Sequence, residues 1–138
     1  MTTRLRNQRG AALLETAITL PLILLVSVGI FEFGRAYQVQ QVLTNAAREG
    51  ARIAVLPEYT DANVTSVVRT YLTDGGLTAV DPTITRNVAV GASTASRVTI
   101  NYPFDFIVLN PVAKLVQPTS NLGKGALTMQ ASALMRNE

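Results

Sequence analysis

The sequence holds no cysteine, no histidine and no tryptophan, and only 15% of its 138 residues are charged. Without cysteine the chain forms no disulfide and offers no thiolate to a metal; without histidine it lacks the commonest metal ligand and general base. The missing cysteines say little about compartment, because an exported domain need not carry disulfides. Serine, aspartate and glutamate are scattered with no group to activate a nucleophile, and neither G-x-S-x-G nor a phosphate-cradling GKS or GKT occurs. Asp61, Asp81 and Asp105 fall singly in loops without calcium-loop spacing, and Asp74-Gly75-Gly76 reads as a turn. These residues predict no enzyme, no metal site and no cofactor.

A second scarcity is a basic stripe. The formal charge is +3, but Arg4, Arg6 and Arg9 supply three of the twelve basic residues before Gly10, which leaves nine against nine acidic groups after it. A pI near 9.7 therefore reflects one short terminus. No basic run with interleaved aromatics is present, so nucleic acid is not an expected partner.

What the chain has in excess is apolar surface, 48% of its residues. Residues 11–31 read AALLETAITLPLILLVSVGIF, with Glu15 as the one ionisable side chain. At 1.5 Å per residue this run extends roughly 31 Å, enough to cross a hydrocarbon core of about 30 Å. The flank before it carries Arg4, Arg6 and Arg9 with no acid, and the flank after it balances Glu32 against Arg35. The positive-inside rule then leaves the N-terminus in the cytoplasm and exports the chain beyond about residue 32. A cleaved secretory signal shares the basic-then-apolar order. However, this run is longer than a typical signal core, has a carboxylate near its start, and lacks an A-x-A-like site followed by a polar transition. Pro21 inside the run removes an amide donor and presses on the carbonyl of Ala17, which predicts a kink.

Glu15 needs an explanation, because a charge at the centre of a membrane helix costs about 2.5–3.5 kcal/mol and less toward the interface. Snorkelling to headgroups or pairing with Arg9 is one. The other lies in the junction Arg9-Gly10-Ala11, from which Glu15 is the fifth residue counting from Ala11. Cleavage after Gly10 would place a new cationic amino group on Ala11, able to pair with Glu15 of a neighbouring subunit. A short basic leader, glycine, a small apolar residue and glutamate at the fifth mature position resemble the processing site of type IV prepilins. RGAALLE at the junction resembles the tight-adherence (Flp) branch.

Residues 32–56 contain no proline, and Pro57 ends the run. Ala36, Val39, Leu43, Ala46, Gly50 and Ile53 follow 3-4-3-4-3 spacing and form one helical seam. Its small residues allow close backbone approach, either by the chain's own head or by other helices. Gly50 costs roughly 1 kcal/mol of helix propensity relative to alanine, for which close packing compensates. The stretch GRAYQVQQVLTNAAREGARIAV, whose first glycine closes FEFG, with LTNAAREGAR over residues 43–52, resembles the signature of the TadE-like family. The tail ALTMQASALMRNE over residues 126–138 resembles that family's closing strand. The resemblance implies a minor pilin or pseudopilin of a tight-adherence pilus. Its implied partners are a prepilin peptidase, a major Flp pilin and a second minor pilin, the inner-membrane assembly platform, and membrane lipid.

Beyond Pro57, Thr60-Asp61 offers an N-cap, and Val64, Val67, Val68, Tyr71 and Leu72 recur at helical spacing up to Asp74-Gly75-Gly76. Ile84, Val88 and Val90, then Val98, Ile100 and Tyr102, alternate with polar residues around GASTAS, predicting a hairpin whose second strand closes at Pro103. Residues 104–109 form an apolar loop anchor, 117–125 a polar turn region, and 127–135 a third strand. The expected architecture is α+β and pilin-like: a long N-terminal transmembrane helix continuing as an exported spine, a short second helix and a small antiparallel sheet. The domains are a leader at 1–10, a span at 11–31, its continuation at 32–56 and a head at 57–138.

Three functions are open on these grounds. The first is a processed minor pilin assembling through its helix for adhesion and biofilm formation. The second is a membrane-tethered sensor or adhesion domain outside any filament. The third is a domain freed by signal peptidase, with a new N-terminus beyond residue 31.

Overall fold

The computed structural model describes residues 8–108, 110–111 and 127–137. Arg4, Arg6 and the polar turn region at 117–125 lie outside the described residues. The element order is α1 (Gln8–Ala54), α2 (Asp61–Asp74), β1 (Thr83–Val90), β2 (Ser93–Phe104) and β3 (Leu127–Arg136). The fold class is α+β, with one very long helix, one short helix and a three-stranded antiparallel sheet in the order β1-β2-β3.

Helix α1 has 47 residues, about 70 Å at 1.5 Å per residue, and is helical without interruption through Pro21. It ends at Ala54, two residues short of the expected end. Pro57 disfavours helical backbone at the residue before it, and the chain tightens so that Leu56 N–H donates to the Ile53 carbonyl at 3.1 Å. The terminal Ala54 carbonyl is taken by Arg86 Nη1 at 2.8 Å and by Ser96 Oγ at 3.3 Å.

Helix α2 begins at a capping box. Thr60 Oγ1 accepts from Asn63 N–H, and Asn63 Oδ1 accepts from Thr60 N–H at 3.0 Å. It ends in a Schellman arrangement: Gly76 sits at φ +76°, its N–H bonds the Thr73 carbonyl, and Leu77 N–H bonds the Leu72 carbonyl at 2.9 Å. Val64, Val68 and Leu72 form its buried face.

The hairpin turn is tighter than the GASTAS stretch implied. Gly91, at φ +60°, and Ala92 alone connect Val90 to Ser93, a two-residue turn that needs positive φ, and Ser93, Thr94 and Ala95 already pair with β1. The second strand also does not close at Pro103, which pairs with Thr128 while β2 runs on to Phe104. Pairing with β1 stops at Thr99, so a residue without an N–H is tolerated where that neighbour is gone. Phe104 therefore belongs to the strand rather than to a loop. Asp61 is the first residue of α2, not a loop residue, and pairs with Arg86; Asp81 pairs with Arg69 at 2.7 Å.

The core lies where the outer half of α1 meets α2, β2 and β3. Leu43, Ala46, Ala47 and Ala51 of α1 close against Val64, Val68 and Leu72 of α2, Val98, Ile100 and Phe104 of β2, and Ala131 of β3. Alternation places Met129, Ala131 and Ala133 on the inner face of β3, with Ala131 buried.

Candidate functional site

The inner half of α1 carries apolar side chains on every side, and over residues 11–31 every residue is exposed except the half-buried Val28 and Gly29. Helix Gly10–Ala54 contains an 18-residue window of mean hydropathy 2.2, none of it buried, which makes it a candidate membrane span. Leu13, Leu14, Ile18, Leu22 and Ile30 stand open. Polar side chains within this stretch are satisfied locally. Thr16 Oγ1 donates to the Ala12 carbonyl at 2.9 Å, Thr19 Oγ1 to the Glu15 carbonyl at 2.6 Å, and Ser27 Oγ to the Ile23 carbonyl at 2.8 Å. Such bonds to the preceding turn let hydroxyls enter hydrocarbon.

Glu15 is exposed on this half, in a shallow recess with Thr16, Thr19, Leu20 and Ile23. Gly10 and Ala11 lie in the first turns of α1, five and four residues before it; Arg9 is part of the same helix. The structure thus puts the junction and the carboxylate on one uncovered helical segment.

The outer half is different. Val39, Leu43, Ala46, Gly50 and Ile53 are buried and Ala36 is half-buried, all against the chain's own head. At Gly50 the approach is closest: a Cβ added there would stand 2.7 Å from Val68 Cγ2 and 3.2 Å from Val98 Cγ1. The opposite face shows Tyr37, Gln38, Gln41, Asn45, Arg48 and Arg52 to solvent. On it Arg52 bonds both Glu49 carboxylate oxygens, at 2.6 and 3.0 Å. Those bonds hold the Glu49 carboxyl below its ordinary range against partial burial, and raise the Arg52 guanidinium.

Two arginines whose roles the periodicity does not reveal hold the head to the helix. At the base, Glu32 is fully buried. Its Oε2 accepts from Arg35 at 3.1 Å and its Oε1 accepts from Val108 N–H at 2.6 Å. The Arg35 guanidinium also donates to the Asp105 carbonyl and lies 4.3 Å from the Phe104 ring centroid, a cation–π distance. Phe106 meets Phe104 edge to face at 5.3 Å. Residues 105–108 are thereby strapped across α1 one turn beyond the apolar run. At the far end, Arg86 donates to Asp61 at 2.7 Å and to the Ala54 and Tyr59 carbonyls, each at 2.8 Å. The only sequence signal for the first was the i, i+3 spacing of Glu32 and Arg35. For Arg86 it was a charged residue in phase with Ile84 and Val88 on an otherwise apolar strand face.

Among the described residues no group of three or more His, Cys, Asp or Glu is placed to hold a metal. Residues 10–52 match the family model described as TadE-like protein. The match takes in the apolar run, Glu15, Glu32, Arg35 and the seam as far as Gly50; α2 and the sheet lie outside it. No curated protein and no solved structure matches the chain.

Proposed function

We propose that the chain is a minor pilin or pseudopilin of a tight-adherence pilus, whose work is assembly rather than catalysis. It enters a filament, or primes one, through its N-terminal helix, and so serves surface adhesion and biofilm formation. The observation that carries this reading is the division of α1. Its outer half is closed by the chain's own head, while its inner half keeps an uncovered apolar surface with one carboxylate, Glu15. Helices in a membrane associate through close packing and interhelical hydrogen bonds, and this half is free to do so. The match of residues 10–52 to the TadE-like family supports the pilus setting.

In this reading the N-terminus starts in the cytoplasm, the head is exported, and a prepilin peptidase cuts between Gly10 and Ala11. The new amino group on Ala11, with a reference pKa of about 7.7–8.0, pairs with Glu15 of a neighbouring pilin. Such a pair offsets the desolvation of both charges and favours one axial stagger between subunits. The major Flp pilin, a second minor pilin and the inner-membrane assembly platform are the expected partners.

The test is the N-terminal residue of the protein recovered from membranes, with and without the peptidase. Ala11 appearing only with the peptidase supports the reading. Met1 or Thr2 in both samples overturns the filament mechanism and leaves a tethered head.

A further inference from the structure

The strap at residues 105–108 presents a large apolar side chain outward at the level where α1 leaves its apolar run. Ile107 is 59% exposed, and its neighbour Val108 is fixed to Glu32 by the 2.6 Å bond to the carboxylate. Singly exposed apolar side chains are ordinary on protein surfaces. Ile107 is not alone, because Phe31, Phe33 and Tyr37 are all exposed on the same turns of α1.

The angular arrangement matters more than the number. Each helical residue turns about 100°, so Phe31 and Phe33 stand about 100° to either side of Glu32, and Ile30 and Tyr37 fall about 140–160° from it, on the far side. The apolar ring around the exit of α1 thus has one gap, the sector that Glu32 occupies. The carboxylate in that gap is covered by the strap, and the strap turns Ile107 out beside it. Aromatic and aliphatic side chains at this depth match the interfacial belt of membrane proteins.

We propose that the strap is a second membrane contact: Ile107 enters the interfacial layer of the leaflet on the head's side and completes the apolar ring, seating the head on the lipid surface beside the helix. The occupant is lipid because the strap continues the exposed apolar surface of the span itself. The proposal rests on α1 crossing the membrane, and does not require entry into a filament.

The absence of cysteine permits a clean test. The full chain is reconstituted in phosphatidylethanolamine–phosphatidylglycerol vesicles as Ile107→Cys, Val26→Cys or Ala92→Cys, each carrying one environment-sensitive fluorophore. Quenching by lipids bearing a nitroxide near the headgroup is compared with quenching by iodide in the water. The label at residue 107 is expected to be quenched several-fold more by the shallow lipid nitroxide than the label at residue 92, at the hairpin tip, with the label at residue 26 answering only to a deep nitroxide. Iodide quenching at 107 equal to that at 92, with 26 still in lipid, overturns the strap contact alone. Protection of 107 from both quenchers, as a contact with a second protein chain would give, overturns it as well. Iodide reaching residue 26 removes the span and the proposal with it.

Discussion

From Ala11 to Phe31, α1 carries leucine, isoleucine and valine on every face and stands exposed except at the half-buried Val28 and Gly29. From Glu32 to Ala54 it carries alanine and glycine on one face, and that face is closed by α2 and the sheet. One helix therefore combines a candidate membrane span with a packed spine, and the two settings ask for opposite things. Lipid is as apolar as leucine and asks only for side chains that need no hydrogen bonds beyond their own turn. A second helix and a sheet crowding one helix face ask for missing volume, which Ala46, Ala47, Gly50 and Ala51 supply. Hydrophobicity marks the first half, smallness the second.

The sharpest way to break the contrast is at the boundary. Glu32→Ala leaves Arg35 and the Val108 amide without their buried acceptor and should cost about 3 kcal/mol, the lower end for a buried pair because Arg35 keeps some solvent. Thermal unfolding of the detergent-solubilised chain would show it, and Glu32→Gln, which keeps an acceptor for Val108, should lose less. Arg86→Ala takes the Arg86 donor from the Tyr59 carbonyl and Asp61 and leaves the Ala54 carbonyl to Ser96 Oγ alone, for about 2 kcal/mol by the same measurement. Gly50→Ala drives a Cβ against the stiff, buried Val68 and Val98. Overpacking of about 1–3 kcal/mol outweighs the roughly 1 kcal/mol that alanine gains in helix propensity, so the head is destabilised by about 1 kcal/mol. At Gly34 an added Cβ meets nothing within 4 Å. There the same substitution should leave the head intact or slightly firmer, and an unchanged head at Gly50→Ala would collapse the distinction. Smallest is acidification of the exposed Glu49–Arg52 pair. Because the folded Glu49 pKa is depressed, its contribution is present above the unfolded carboxylate pKa and fades as pH falls through the folded value. Glu49→Gln should flatten the head's unfolding curve slightly on the acid side.

Periodicity made most of the elements legible. The outer half of α1, α2 with its Thr60 cap, and all three strands follow from side chains recurring every three to four residues or every second one, and the unbroken apolar run marks the inner half of α1 as a candidate span. The stop at Pro57 was near the true end of α1 because proline acts on the residue before it. What escaped were the particular side-chain contacts between residues far apart in the chain. Nothing near Glu32 announces Val108, 76 residues away, and nothing near Arg86 announces the Ala54 carbonyl, 32 residues before it. Pro103 misled because its meaning depends on whether β1 still runs beside it, a tertiary fact. In the candidate site, Glu15 was visible as a charge out of place in an apolar run. The consumption of the small-residue seam by the chain's own head became visible only when α2 and β2 were seen to meet at Gly50.

The two arginine clamps have a mechanical corollary. They grip α1 near both ends of its outer half, and α1 is unbroken between that half and its first turn, so the head is fixed to the helix like a key on a shaft. Sliding the inner half by one residue against any neighbour would lift the head about 1.5 Å and swing it through about 100°. The direction in which the head faces is thus tied to the register of side chains at the other end of the molecule.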